Sequence, residues 1–525
     1  MRPFWIVLCR LLLPLALGLA AAQAREASAP PRLVLWIVID QMPADVWSRY
    51  HAAFSPDGGF ARLRAASARW TQAGYEHLVT STAAGHATLA TGASPSRHGV
   101  VGNRWYDRER EAVTYCVAGG RPDALALPTL ADALWEQTRG RARIGAVSGK
   151  DRGAILLGGR HPRAVVWFDP RAGRWRGRGE AATLGPLVRL GRRRTLACFG
   201  RPWGLFAPAA CYPERDDRPY ERGPFGLGRR FPHPVDGEAV EPGPAFLAAF
   251  SLTPYLDEIT LAIAERLLER EGFGRDAVPD LLYVSLSSSD LVSHTFGPHS
   301  RETRDVYLRL DALLGRLLDT AERQVGREAL LVVLTSDHGG SPIPESFPDG
   351  GRVSVVHLLA TARRAAREAL GLSAPAPPLV RAFCPPHLVL ADRARSATVS
   401  ARVARAIASI EGVQALATSA LAGPRPADLD PALWRAARRS VFGDRSGDVL
   451  VWLEPHFGWQ PGKAAEHGRP VPSDQRVPLW IRAPGLRPGA REGRCAVRRV
   501  VAEIARRLGI RPPAGADPGP LPGLR

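Results

Sequence analysis

Three aspartates stand directly after, or a few residues beyond, nearly uninterrupted apolar runs. Asp40 closes RLVLWIVID, Asp290 follows LLYVSL within four residues, and Asp337 follows LLVVLTS. Histidine accompanies two of them. Asp290 and His294 are four residues apart, one turn of a helix, and Asp337-His338 is an adjacent pair in a predicted turn. His467, in Glu466-His467-Gly468, offers one more imidazole. Carboxylate oxygens combined with imidazole nitrogens form a donor set suited to Zn²⁺. Singly, each residue has an ordinary explanation as a cap, a turn or a surface group. Their joint occurrence at strand ends carries the argument.

A nucleophile and two cations complete the set. Ser81-Thr82-Ala-Ala-Gly-His86 opens a predicted helix, where backbone N–H groups and the helix dipole favour a negative oxygen. A hydroxyl held there beside a divalent metal ionises near neutral pH and can attack phosphorus. Without the metal ligands, an N-capping role would be the simpler reading. Lys150 and Arg152 follow another strand, in GKDRG. Lys150 and Lys463 are the only lysines among 70 basic residues, so a compact ammonium is specifically wanted at position 150. His86, His98 and His299 read as packing or surface residues. Gly145 to Lys150 is one residue too short between its glycines for a P-loop.

Positioning these groups needs strands that end side by side. Residues 32–40, 143–148, 281–286 and 330–334 read as buried strands; 82–91, 256–270 and 306–321 carry helical periodicity. Alternation of the two types predicts an α/β sheet with helices on both faces, and ligands bind beyond the carboxyl ends of such strands. Residues 155–250 and 345–450 are rich in Gly, Pro, Ala and Arg and read as insertions. The tail from Pro512 is Pro/Gly-rich and is expected to be loose.

The 525 residues are 45% hydrophobic and 23% charged, which excludes a disordered chain and a membrane bundle. The formal charge of +19 is almost entirely arginine and comes without a nucleic-acid-binding motif, so it predicts no specific nucleic-acid partner. It would draw in phosphorylated substrates. Residues 1–24 read as a signal peptide: Arg2, an apolar run from Leu11 to Ala22, and Ala22-Gln23-Ala24 before a mature start at Arg25. That run is too short to span a bilayer, so the expected product is soluble and secreted or periplasmic, without a membrane anchor. Five cysteines remain after cleavage, and Cys198 with Cys211 is the expected disulfide.

Seven blocks then share one resemblance: IVIDQM (37–42), TSTAAGHATLATG (80–92), HGVVGNRWYD (98–107), GKDRG (149–153), SSSDLVSHTFGP (287–298), TSDHGG (335–340) and EHGRP (466–470). In this order they resemble the alkaline phosphatase superfamily, in its branch of threonine-nucleophile alkaline phosphatases related to type I phosphodiesterases and nucleotide pyrophosphatases. The resemblance implies a three-layer α/β/α sandwich with a mostly parallel sheet over a catalytic domain of residues 25–511. It implies two Zn²⁺ ions, one held by Asp290, His294 and His467, the other by Asp40, Asp337, His338 and Thr82. Thr82 would form a covalent phosphothreonine, and Asn103, Lys150 and Arg152 would contact the phosphoryl oxygens. The expected activity is phosphomonoester hydrolysis on small phosphoesters by a monomer. The alternatives are a phosphodiesterase/nucleotide pyrophosphatase and a non-catalytic metal- or phosphate-binding protein. Two departures stand out: Ala84 replaces the usual proline two residues after the nucleophile, and Glu466 stands where a small neutral residue is common.

Overall fold

Leu33–Ile39 (β1) is uncharged, largely β-branched and wholly buried. Side chains alternate across a strand, and here both sets find apolar partners. Leu33, Leu35, Ile37 and Ile39 enter one hydrophobic cluster; Val34, Trp36 and Val38 enter another. Such a strand must lie at the centre of a sheet covered on both faces. The computed structural model, which describes residues 30–373, 378–460 and 462–524, has this arrangement. The predicted signal peptide lies outside the described residues.

The other strands of the main sheet are β2 (Ala68–Gly74), β3 (Ile144–Ser148), β4 (Ala164–Asp169), β5 (Arg174–Gly179), β6 (Asp280–Leu286), β7 (Leu330–Thr335), β8 (Leu479–Arg482) and β9 (Gly489–Ala496). Their order across the sheet is β9-β2-β8-β7-β1-β6-β3-β4-β5. The central five, β7, β1, β6, β3 and β4, are parallel; β8 and β5 run antiparallel to their neighbours. Five helices matter for the site: α1 (Thr82–Thr91), α2 (Asp151–Gly158), α3 (Tyr255–Glu271), α4 (Ser288–Phe296) and α5 (Arg301–Val325). Ala83 and Ala87 of α1 and Ile155 of α2 pack with Val34 and Trp36 on one face. Leu256 and Ile263 of α3 and Leu314 and Leu317 of α5 pack with Leu35 and Ile37 on the other. The three-layer α/β/α expectation holds.

Register decides where the site falls. Ile39 pairs with Leu286, and Val38 with Thr335, so β1, β6 and β7 end in step. The residues that follow each strand emerge at one edge of the sheet.

Three expectations are corrected. Residues 155–250 are not wholly an insertion, because β4 extends the parallel sheet beside β3 and β5 closes its edge. The tail is held against the core: the Asp517 N–H donates to Gly92 O (2.8 Å), Trp70 Nε1 to Pro522 O (2.8 Å), and Leu521 is buried. Cys198 and Cys211 are both free thiols. Cys198 Sγ turns back one helical turn to donate to Arg194 O; closeness in sequence does not supply disulfide geometry. A separate apolar core is formed by helices Val355–Ala369 and Ala397–Ala408 on a four-stranded sheet of Val380–Cys384, His387–Leu390, Val449–Leu453 and Val413–Ala417.

Candidate active site

At the common edge of β1, β6 and β7 the structure gathers six of the sequence-selected residues into two groups. Asp290, His294 and His467 form one, and Asp40, Asp337 and His338 the other; within each group the ligand atoms lie within 4.8 Å of one another. Asp290 Oδ1 is 3.2 Å from His294 Nε2 and 3.5 Å from His467 Nε2. His338 Nε2 is 3.4 Å from both Asp40 Oδ1 and Asp337 Oδ2.

The histidines are held in one tautomer by the backbone. Nδ1 of His294 donates to Ala465 O (2.6 Å), that of His338 to Gly339 O (2.8 Å) and that of His467 to Thr80 O (2.7 Å). Each Nε2 therefore presents a lone pair to the centre of its group, the arrangement that orients metal-ligating imidazoles. Five of the inward atoms, Asp40 Oδ1, Asp290 Oδ1, His294 Nε2, Asp337 Oδ2 and His338 Nε2, are buried without a hydrogen-bond partner. Orphaned buried polar atoms are costly. Five converging on two points, all of ligand type, fit two divalent cations.

Electrostatics agree. Burial, together with Asp290 and Asp337, raises the Asp40 carboxyl to about 7. Burial opposes ionisation of Asp290 too, yet His294 and Lys150 hold it well below the ordinary range. For Asp337, His338 and His86 likewise outweigh burial and lower it. Burial lowers His294, and burial and His338 lower His467, keeping both imidazoles neutral as metal ligands must be.

Thr82 is the first residue of α1 and is buried. Arg152 Nη2 lies 3.5 Å from its Oγ1. Asn103 Oδ1 accepts the Ala83 N–H (2.9 Å), which fixes the amide against the helix start and leaves its nitrogen free to donate. Lys150 Nζ lies 2.5 Å from Asp40 Oδ2 and 2.5 Å from Asp290 Oδ2. It therefore joins the two carboxylate groups, and this double contact raises its pKa against the effect of burial. All ten sequence-selected residues meet in one place.

Several neighbours escaped the sequence reading. His86, set aside as packing, sits one turn after Thr82. Its Nδ1 is 2.8 Å from Thr82 O and 3.2 Å from Asp337 Oδ2, and its Nε2 is 2.8 Å from Ser285 Oγ. The four-residue spacing from Thr82 was the available signal. Gln41 adopts a left-handed backbone (φ 59°) that aims its N–H at Asp337 Oδ1 (3.2 Å). Lys463, the second of the two lysines, lines a 210 Å³ cavity with Ser81, Asn103, His294 and His467. Glu466 is explained by structure: its carboxylate accepts the N–H groups of Trp459 (3.0 Å) and Lys463 (3.2 Å). His98 is buried, accepting from Val100 N (3.1 Å), and is a packing residue as expected.

Gly85 sets how closely α1 approaches Asp337. A Cβ there would lie 2.0 Å from Asp337 O, too close for any contact. Gly85→Ala should therefore push α1 away from β7 and misalign Thr82, lowering kcat roughly 100-fold with a loss of bound metal. Unchanged kcat and metal content would show that the helix and the ligand can part without consequence.

A family model described as type I phosphodiesterase / nucleotide pyrophosphatase matches residues 34–477. The chain belongs to this family. It is 30% identical over 498 residues to alkaline phosphatase PhoK of Sphingomonas sp, covering 88% of this chain and 85% of that protein. It is also 30% identical over 345 residues to alkaline phosphatase PafA of Elizabethkingia meningoseptica, covering 62% of each. The crystal structure of wild-type PafA shares the fold, with a TM-score of 0.84 at 23% identity over 94% of this chain and 99% of that one. In this chain the two carboxylate–imidazole groups, Thr82 and the pair Lys150 and Arg152 lie together at one sheet edge.

Proposed function

We propose that this chain is an alkaline phosphatase that transfers the phosphoryl group of a monoester to Thr82 and then to water. It is a metal-dependent phosphomonoester hydrolase. The observation carrying the Thr82 assignment is that its hydroxyl, at the start of α1, lies within reach of the Arg152 guanidinium, while Lys150 on the same strand-to-helix turn touches a carboxylate of each ligand group.

Two bound divalent cations, which the carboxylate–imidazole sets suit as Zn²⁺, would supply Lewis acidity that lowers the pKa of a hydroxyl and screens phosphoryl charge. Asp290, His294 and His467 would hold one, and Asp40, Asp337 and His338 the other beside Thr82. The chain's own groups do the alignment. The first turn of α1 presents Thr82 Oγ1 to phosphorus and stabilises negative charge there. The Arg152 fork grips two non-bridging oxygens. Asn103 donates its amide N–H, and Lys150 adds positive charge between the two groups. Phosphoryl transfer passes through a loose transition state, so this placement of charge is most of the catalysis.

The family name covers diesterases as well, and the donor count favours the monoester reading. A monoester presents three non-bridging oxygens, a diester two; Asn103, Lys150 and Arg152 together supply donors for three. Aryl phosphate should be turned over faster than bis-aryl phosphate, and Lys150→Ala with Arg152→Ala should reduce monoester kcat/KM by roughly 100-fold or more while reducing diester turnover far less. A diester preference, or equal losses on both substrates, would overturn the assignment.

The setting of the reaction rests on the leader-like residues 1–24 and on charge. Export to the periplasm or medium, small phosphoesters as substrates and a monomeric state belong to the same proposal. Among the described residues, no single helix is long and apolar enough to cross a membrane.

A further inference from the structure

Next to Thr82 lies a cavity of 1320 Å³ that shares Asn103, Lys150 and Arg152 with the site. A phosphoryl group needs a small fraction of that space. We propose that this cavity is the leaving-group subsite and that it is built for leaving groups carrying further phosphate, such as a polyphosphate chain or a nucleoside diphosphate. The inference rests on the reading of Thr82 as the point of attack.

The strand β5, RWRGRG, forms one wall. Its alternation sends Trp175 into the apolar core, 1% exposed, and sets Arg174, Arg176 and Arg178 on the opposite face, in register with Asp169, Trp167 and Val165 of β4. The loop between the two strands adds Arg171, and Arg104 and Arg121 approach from the strands and turn after Asn103. With Lys150 and Arg152, eight cationic side chains line the cavity and two acids do, Asp151 and Asp169; of the eight, Lys150 is held by Asp40 and Asp290 and Arg121 by Asp123 from outside the lining. The whole chain has 70 basic and 51 acidic residues, so arginine-rich composition does not account for this imbalance.

Neither acid is a spare counter-charge. Asp151 accepts from Tyr115 Oη (2.6 Å) and from the Arg152 N–H (2.7 Å). Asp169 pairs with Arg176 (2.7 Å) and accepts the N–H groups of Arg171 and Ala172. Arg178 is pinned by Arg160 O (3.1 Å) and Gly159 O, and burial and Arg121 lower its pKa. The side chains of Arg171 and Arg174 have no ion-pair partner among the described residues. Guanidinium forks at several positions match a chain of phosphates, each offering oxygens for bidentate contact. The cavity is large enough for such a chain to extend from the clamp at Arg152 along β5.

The test compares kcat/KM for inorganic tripolyphosphate, adenosine triphosphate and 4-nitrophenyl phosphate in the full chain loaded with zinc. Each presents a terminal phosphoryl group, so changes in the ratios report the leaving group. In Arg171→Gln/Arg174→Gln, both polyphosphate ratios relative to 4-nitrophenyl phosphate should fall at least fivefold below wild type. In wild type, both should fall as sodium chloride rises, because exposed charges are screened. A fall for adenosine triphosphate alone would overturn the proposal by assigning the cavity to the nucleoside, and ratios unchanged within twofold would overturn it outright. Wild-type protein that fails on 4-nitrophenyl phosphate itself would instead defeat the phosphatase reading beneath it.

Discussion

Thr82→Ala should abolish phosphomonoester turnover, by roughly 10⁴-fold or more, while leaving the protein folded and its metal bound. The two halves of this expectation have separate grounds. Asp40, Asp337 and His338 remain to hold the ion beside Thr82 when its hydroxyl is deleted, and among the described residues the side-chain hydrogen bond of that hydroxyl is to Arg152 at 3.5 Å, so deletion breaks little structure. Alanine is also at least as good a helix former as threonine. The same oxygen is the helix-start hydroxyl that lies within reach of the Arg152 guanidinium, the one proposed to form the bond to phosphorus. Thr82→Ser keeps that oxygen and should retain activity within about tenfold of wild type. Acid-quenched wild type should carry phosphate on the peptide containing Thr82, read by mass spectrometry. If wild type has no chelator-sensitive hydrolysis that Thr82→Ala removes, the non-catalytic binding reading takes over. If Thr82→Ala keeps full turnover, water attacks directly and the phosphothreonine route is wrong.

How much of this was legible in the sequence depends on how local each signal is. The central strands declared themselves because burial on both faces leaves an uninterrupted apolar run, as in LVLWIVI. Five of the six carboxylate and imidazole ligands were legible because each follows such a run or sits at helical spacing from another; His467 does neither and was picked out by the EHGRP block. His86 was passed over although it obeys the same spacing, since a lone histidine on an alanine-rich helix reads as packing. Lys463 carried the argument applied to Lys150, rarity in an arginine-rich chain, but no motif placed it near the site. The hairpin of β4 and β5 was hidden by its own edge position: RWRGRG alternates charge with Trp and Gly, and the PRAG turn made the region look like a loop. The separate four-stranded sheet was missed for a related reason. His387–Leu390 is four residues long beside Pro385-Pro386, too short for periodicity to register. The tail is fixed by partners as remote as Trp70 and Gly92, which no local window contains.

Chelation of the bound metal should remove both activity and part of the stability. With the cations gone, three carboxylates and three imidazoles of the two groups face one another in a buried space, five of their atoms unpaired. Lys150 contacts a carboxylate of each group, and the rings of His338 and His467 stack across them at 3.7 Å. Each ion, at a free concentration a thousandfold above its Kd, adds about 4 kcal/mol to stability, so prolonged treatment with a chelator should lower the Tm by several degrees and take turnover to background. Zn²⁺ should restore both, whereas Mg²⁺, which prefers oxygen ligands in octahedral array, should restore little. The groups can be emptied one at a time. Asp337→Asn should lose the ion nearest Thr82, and His467→Gln the other, each seen as about one equivalent missing by elemental analysis. The two variants should then fail differently. The first, with no cation beside the attacking hydroxyl, should form no phosphothreonine; the second, which keeps that cation, should accumulate some on quenching. Full turnover after exhaustive chelation, or purified protein that binds no divalent metal, would break the link between the two ligand groups and catalysis.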